Sequence, residues 1–360
     1  MVSNRKKSQL TWRGIVILFL ILILVNAGLI LWNKYKVRPE ESAKQYAQEG
    51  YKYYRAEDFV SAAEYYKKAI QLEPNNFDYY LNLGQSYFKL SDYSNSMIYY
   101  KKALEINPNN HIILAKIGSI YREIGKYDDA FHYYDLSLKI KPDYAYAFYG
   151  IGTTYFYIGD YNNALSHLLK AHDLNKQDKY TTNVLAAVYF LQSKYDSAIN
   201  ISNEELKYNP DSYTAFNSLG RSYLLKNDPK TAIFFYEKAI TTTPKANLKM
   251  LSSINAALGI AYLKNRDFNN SFKYLNKSLS YFELPHAYAG LAAVHYFLGD
   301  FNKSDYYYKK MSFDKLDEVE KKIISVHFRN LGNIYLENNA SEKAMQAYEI
   351  AAKLNPKDLV

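Results

Sequence analysis

The sequence contains no cysteine, which excludes disulfides, thiolate metal sites and a cysteine nucleophile together. Glycine and proline are scarce, 14 and 9 among 360 residues, too few for the turns of a many-stranded fold. No HExxH, Walker loop, GxSxG or GxGxxG stands in the chain, so the signatures of metal, phosphate, acyl-transfer and dinucleotide chemistry are missing. Gly150-Ile151-Gly152 begins like the last of these but falls inside a helical pattern. The seven histidines (His111, His132, His167, His172, His286, His295 and His327) are scattered. His167 and His172, five apart, point to different helix faces and make a poor metal pair. The expectation is a chain that is not an enzyme and has no cofactor and no metal site.

A one-sided charge is missing too. The net charge is +9, but residues 1–42 carry +5 of it and the rest only +4. A nucleic-acid footprint needs Lys and Arg clustered on one face, and no such block is visible. No nucleic-acid partner is expected.

What the sequence does have begins with an apolar run. Residues 14–31 read GIVILFLILILVNAGLIL, without a charge and with fourteen of eighteen Ile, Leu, Val or Phe. As a helix this run spans ~27 Å, close to a bilayer core. Trp12 and Trp32, the only two tryptophans, bracket it at interface depth. Residues 14–32 are therefore predicted to form one transmembrane helix, after a basic flank over 1–13 and before a short linker over 33–42. Val25-Asn26-Ala27 would suit a cleavage site, but the apolar run continues to Trp32, longer than a signal-peptide core. Arg5, Lys6, Lys7 and Arg13 outnumber Lys34, Lys36 and Arg38, which Glu40 and Glu41 follow. The positive-inside rule then puts the N-terminus in the cytoplasm and the remainder outside.

The second feature is a 34-residue period. Frames run 43–76, 77–110, 111–144, 145–178, 179–212 and 213–246, then, after insertions, 252–285, 285–318 and 325–358. The eighth position holds Gly50, Gly84, Gly118, Gly152, Ala186, Gly220, Gly259, Ala292 and Gly332. The twentieth holds Ala62, Ser96, Ala130, Ala164, Ala198, Ala232, Ser271, Ser304 and Ala344. Small residues at both places suit two helices in close contact. The eleventh position is Tyr eight times in nine, from Tyr53 to Tyr335, with His295 the exception. These tyrosines are expected to fill the gaps as buried rings. Pro74, Pro108, Pro142, Pro210, Pro244 and Pro356 stand where each second helix must stop. The fifth and eighth repeats depart furthest, with Ser202 and Glu205 in one and Ala292, His295 and Met311 in the other.

On these residues the chain resembles a tetratricopeptide-repeat (TPR) protein across 43–358; NLGQSYFKLSDYSNSMIYYKKALEINPNN (82–110) fits the family pattern almost throughout. The resemblance implies an all-α fold: a right-handed TPR superhelix (α-solenoid) of about nine helix–turn–helix repeats, preceded by the transmembrane helix. It also implies a non-catalytic scaffold that takes protein or peptide partners on its concave face. The carboxylate clamp of chaperone-binding members is not met, since Ala47, Tyr51, Leu81, Gln85, Ala115 and Ser119 occupy its places in the first three repeats. The anchored regulators of lipopolysaccharide assembly share the layout but end in a Cys-rich domain, which this sequence lacks.

In the family the second, fifth, ninth, twelfth and thirteenth positions of each first helix tend to face the groove. In repeats four and five Tyr146, Tyr149, Phe156, Tyr157, Tyr180 and Phe190 make six of those ten positions aromatic, against 17% in the whole chain. The twelfth position also packs within the array, which leaves Phe156 and Phe190 open to a second reading. Asn183, Asn217 and Arg221 lie beside them and could fix the direction of an extended segment. A second candidate is the C-terminal face, where Met345, Tyr348 and Ala352 suit docking or self-association. The functional expectation is a membrane-anchored scaffold of bacterial envelope or secretion assembly, in the inner or plasma membrane, with the repeats extracytoplasmic. The alternatives are a cytoplasm-facing adaptor and an accessory subunit of a glycan-processing or export system.

Overall fold

The computed structural model describes residues 19, 21, 23–26, 39–314, 316 and 318–356, with backbone alone at 39, 318–320 and 323. The predicted transmembrane helix over 14–32 lies outside the described residues, apart from Phe19, Ile21 and residues 23–26, which are helical and exposed. Among the described residues no helix is long and apolar enough to cross a membrane.

The fold is an all-α helical repeat, and from Pro39 onward the described residues form eighteen helices. Two compact units divide the chain after Ile120. The first contains α1 (Pro39–Arg55), α2 (Phe59–Leu72), α3 (Phe77–Lys89), α4 (Tyr93–Ile106) and most of α5 (His111–Glu123). The second contains the end of α5, α6 (Tyr127–Ile140), α7 (Ala145–Ile158), α8 (Tyr161–Leu174), α9 (Lys179–Leu191), α10 (Tyr195–Tyr208), α11 (Tyr213–Leu225) and α12 (Pro229–Thr242). It continues through α13 (Leu248–Lys264), α14 (Phe268–Tyr281), α15 (Pro285–Phe297), α16 (Phe301–Lys309), α17 (Glu318–Glu337) and α18 (Ser341–Leu354).

Short polar turns close the hairpins. Before six second helices an aspartate caps the N-terminus: Asp58, Asp92, Asp160, Asp228, Asp267 and Asp300 each accept the backbone N–H three residues on, at 3.0–3.1 Å. The cap satisfies one of the donors that a helix start leaves free. It also holds the Asp92 and Asp228 carboxyls below their usual pKa, chiefly through hydrogen bonds from Asn95 and Thr231. Lys126, Lys194 and Ala340 stand at the same place without a side-chain cap.

Within a hairpin the small residues do meet: Ser96 Oγ donates to the Gly84 carbonyl at 2.7 Å, and Ser271 Oγ to that of Gly259 at 2.8 Å. A further large side chain fills the space beside the glycine. Tyr66 packs on Gly50, Tyr100 on Gly84, Leu168 on Gly152, Tyr236 on Gly220, Leu275 on Gly259 and Tyr348 on Gly332. Tyr66, Tyr100, Tyr134 and Tyr236 are among the largest fully buried side chains. This corrects the expectation for the eleventh-position tyrosines. Those from Tyr53 to Tyr262 are only half-buried. Several stack instead on an aromatic ring of the second helix: Tyr53 on Tyr65 at 5.2 Å, Tyr87 on Tyr99 at 5.5 Å, Tyr223 on Phe235 at 5.6 Å and Tyr262 on Tyr274 at 5.4 Å.

The two sequence insertions do not form loops. They lengthen first helices, giving α13 seventeen residues and α17 twenty. α17 matters most for the site, because it reaches back within the second unit. Val326 is buried in the same core as Phe156, Leu185, Val188, Phe190 and Ile201 from α7, α9 and α10. Lys322 Nζ lies 5.8 Å from the centre of the Tyr161 ring.

Candidate partner-binding site

That reach of α17 divides the predicted groove residues. Phe156 and Phe190 are core side chains, 8% and 4% exposed, and offer almost no surface to a partner. The packing role of the twelfth position accounts for both. Arg221 also turns inward. Its guanidinium carbon sits 4.1 Å from the centre of the Phe190 ring, in contact range for a cation on an aromatic face. Arg221 is half-buried, and desolvation by the surrounding protein lowers its pKa.

The other groove residues remain at the surface. Tyr180 and Tyr157 are 58% and 40% exposed, while Tyr146, Tyr149, Asn183 and Asn217 are half-buried. Tyr146 and Tyr149 neighbour each other at 6.1 Å between ring centres. Burial raises the Tyr149 pKa, with Arg122 opposing it. Tyr180 and Asn183 line one open cavity of about 540 Å³, closed on the other side by Tyr208, Pro210, Tyr213 and Pro244. Tyr208 and Tyr213 are not among the sequence candidates; they sit at the end of α10 and the start of α11, outside the groove positions. The cavity thus combines exposed aromatic faces with amide and backbone groups, a mixture suited to an extended polar chain.

At the C-terminal face Met345, Tyr348 and Ala352 line one shallow concavity of about 450 Å³ with Leu336, Ser341, Ala344 and Glu349. Met345 and Leu336 are 60% and 54% exposed. Tyr348 is mainly a packing residue here, since its ring covers Gly332 and its hydroxyl donates to Asn333 Oδ1 at 2.7 Å. Among the described residues no group of three or more His, Asp or Glu side chains is placed to hold a metal ion.

By sequence, the tetratricopeptide repeat family matches residues 77–110, 110–177, 183–247 and 330–358, and its TPR repeat matches 50–91. No curated protein matches the chain. Among solved structures, the anaphase-promoting-complex assembly Cut9–Hcn1 aligns over 81% of this chain and 52% of its own, at 17% identity and a TM-score of 0.59. A human IFIT1 dimer with PPP-AAAA aligns over 82% and 69%, at 16% identity and 0.55. A tetratricopeptide repeat protein from Parabacteroides merdae aligns over 74% and 99%, at 20% identity and 0.49. At these identities the first two likenesses speak for the fold alone. The chain carries tetratricopeptide repeats along residues 50–177, 183–247 and 330–358.

Proposed function

We propose that this chain is a membrane-anchored scaffold that recruits a partner protein through repeats four to six, with the repeats on the extracytoplasmic face of a bacterial membrane. The observation that carries the binding site is the cavity holding Tyr180, Asn183, Tyr208 and Tyr213 together. Tyr146 and Tyr149 extend the aromatic surface along α7, and Asn217 adds an amide on α11. An extended partner segment would lay apolar side chains on the tyrosines and hydrogen-bond its backbone to Asn183. The anchor rests on the uncharged run over residues 14–31 and its flanking tryptophans.

The test is co-purification of the full-length protein from native membranes. Tyr180→Ala with Asn183→Ala is expected to weaken partner capture by about 1–2 kcal/mol or more, with melting unchanged. Phe234→Ala, on the exposed face of α12 (51% exposed), should leave capture intact. Loss on altering Phe234 but not the Tyr180–Asn183 pair would overturn the assignment, as would capture of polysaccharide in place of protein. A C-terminal alkaline-phosphatase fusion should be active if the repeats lie outside; an inactive fusion favours the cytoplasm-facing adaptor. The concavity around Met345 is the place for a second copy of the chain. Met345→Glu should then abolish any dimer seen by light scattering, and a wild type monomeric at high concentration removes that role.

A further inference from the structure

Among the described residues eight second helices, from α2 to α18, run fourteen residues, but α16 stops after nine. The five residues it lacks correspond to ~7.5 Å of helix. The chain beyond Lys310 does not make up that length. Met311, Ser312 and Phe313 are not helical, and the Phe313 ring lies on Phe328 of α17, with centres 5.8 Å apart. A second helix cut short leaves space at that end of its hairpin, next to the start of α15.

Two cavities open there. One, of about 340 Å³, is bounded by Phe282, Tyr288, Lys310 and Ser312. The other, of about 310 Å³, is bounded by Met250, Ser253, His286 and Ile324. Lys249, Leu284 and Leu316 line both, so the two adjoin. Their floor is hydrocarbon: Leu284 and Ile324 are each 4% exposed, and Met250 and Leu316 are half-buried against the same core. The charged groups are at the rim, where Lys249 and Lys310 are exposed and Glu283 is the one carboxylate among the lining residues. Apolar walls with a few polar groups, at this size, are what a small-molecule site offers.

We propose that these adjoining cavities bind a fatty carboxylate of medium chain length. Its hydrocarbon lies on Met250, Leu284, Leu316 and Ile324, and its carboxylate meets the ammonium groups of Lys249 and Lys310. A bare hydrocarbon would leave the two lysines unused, and a bare anion would leave the apolar floor uncovered. The bound chain takes the place of the helix that α16 lacks and joins α13, α15 and α17 around it. This site shares no residue with the partner surface at Tyr180 and stands whether or not that reading holds.

The experiment is photolabelling of the full-length protein in detergent-free cell homogenate with a diazirine-bearing decanoate, read by peptide mass spectrometry. Label is expected at Met250, Leu284 or Ile324. Unlabelled hexanoate, octanoate and decanoate should compete, the concentration that halves labelling falling by about fourfold for each added methylene. Decanol should compete less well than decanoate. Lys249→Glu with Lys310→Glu, two exposed positions whose reversal leaves the core intact, should raise the half-competing concentration of decanoate by about tenfold and leave that of decanol unchanged. Label found only away from these cavities, a competition series flat with chain length, or decanoate competing with the double variant as well as with wild type would each overturn the proposal.

Discussion

Among the described residues, nine hairpin turns pass through a left-handed residue, at Glu57, Ser91, Gly125, Gly159, Ser193, Asn227, Arg266, Gly299 and Asn339. Each stands immediately before the capping position, so the turn geometry repeats with the 34-residue period. Only three of the nine are glycine, although an L-residue with a side chain is strained there by about 1–2 kcal/mol. Ser91, with φ of 59°, makes the cleanest test because its exposed side chain has no hydrogen bond of its own. Ser91→Gly should stabilise the protein by about 0.5–1 kcal/mol, the relief of strain less the extra entropy glycine loses on folding. Gly159→Ser, at φ of 88°, should do the reverse. Denaturant unfolding of the two variants checks both signs, and a Ser91→Gly protein less stable than wild type would show that the turn is not strained. The capping aspartates also recur at a fixed position of the period, but a sequence pattern does not single them out, because every turn is rich in polar residues that could cap.

One helical hairpin is the element from which the array is built, and its contact was only half visible in the sequence. Glycine, alanine and serine at the eighth and twentieth positions stand out because small residues there recur while their neighbours vary. The ring that covers the glycine did not stand out, because one more tyrosine is inconspicuous in a chain with 40 of them. Yet that ring sets the tolerance of the hairpin. A Cβ added to Gly84 would lie 2.6 Å from Tyr100 Cδ1, and Tyr100 is fully buried, so the clash cannot be relieved by swinging the ring into solvent. Gly84→Ala should therefore destabilise the protein by about 1–3 kcal/mol, as overpacking does. Gly125→Ala should also lose stability, but through its φ of 76°, since its Cβ would meet nothing within 4 Å. The Gly84→Ala, Tyr100→Leu double variant separates the two causes: it should recover part of the Gly84→Ala loss, and no recovery would place the strain elsewhere.

At the scale of the second unit, the reach of α17 departs from the behaviour of a linear repeat array. In such an array each repeat touches only its neighbours, and a mutation is felt one repeat away. Here Val326, near the middle of α17, is 4% exposed in a core shared with α7, α9 and α10, and His327 beside it stacks on α15. No local pattern could have announced this. The pairing joins residues far apart in sequence, and α17 reaches that core only because the chain from α11 to α16 brings it there. It is also why the groove candidates divided as they did: the inner face at Phe156, Phe190 and Arg221 is occupied from within, while Tyr180 and Asn183, nearer the start of α9, stay open. The arrangement predicts coupling across several repeats. Val326→Ala removes two methyl groups from this core and should cost about 1–3 kcal/mol. Amide exchange should then quicken in α9, around Leu185 to Leu191, as well as in α17. Exchange that quickens only in α17 and α18 would mean that the contact with α9 contributes nothing to stability, and that the second unit responds as a chain of neighbours after all.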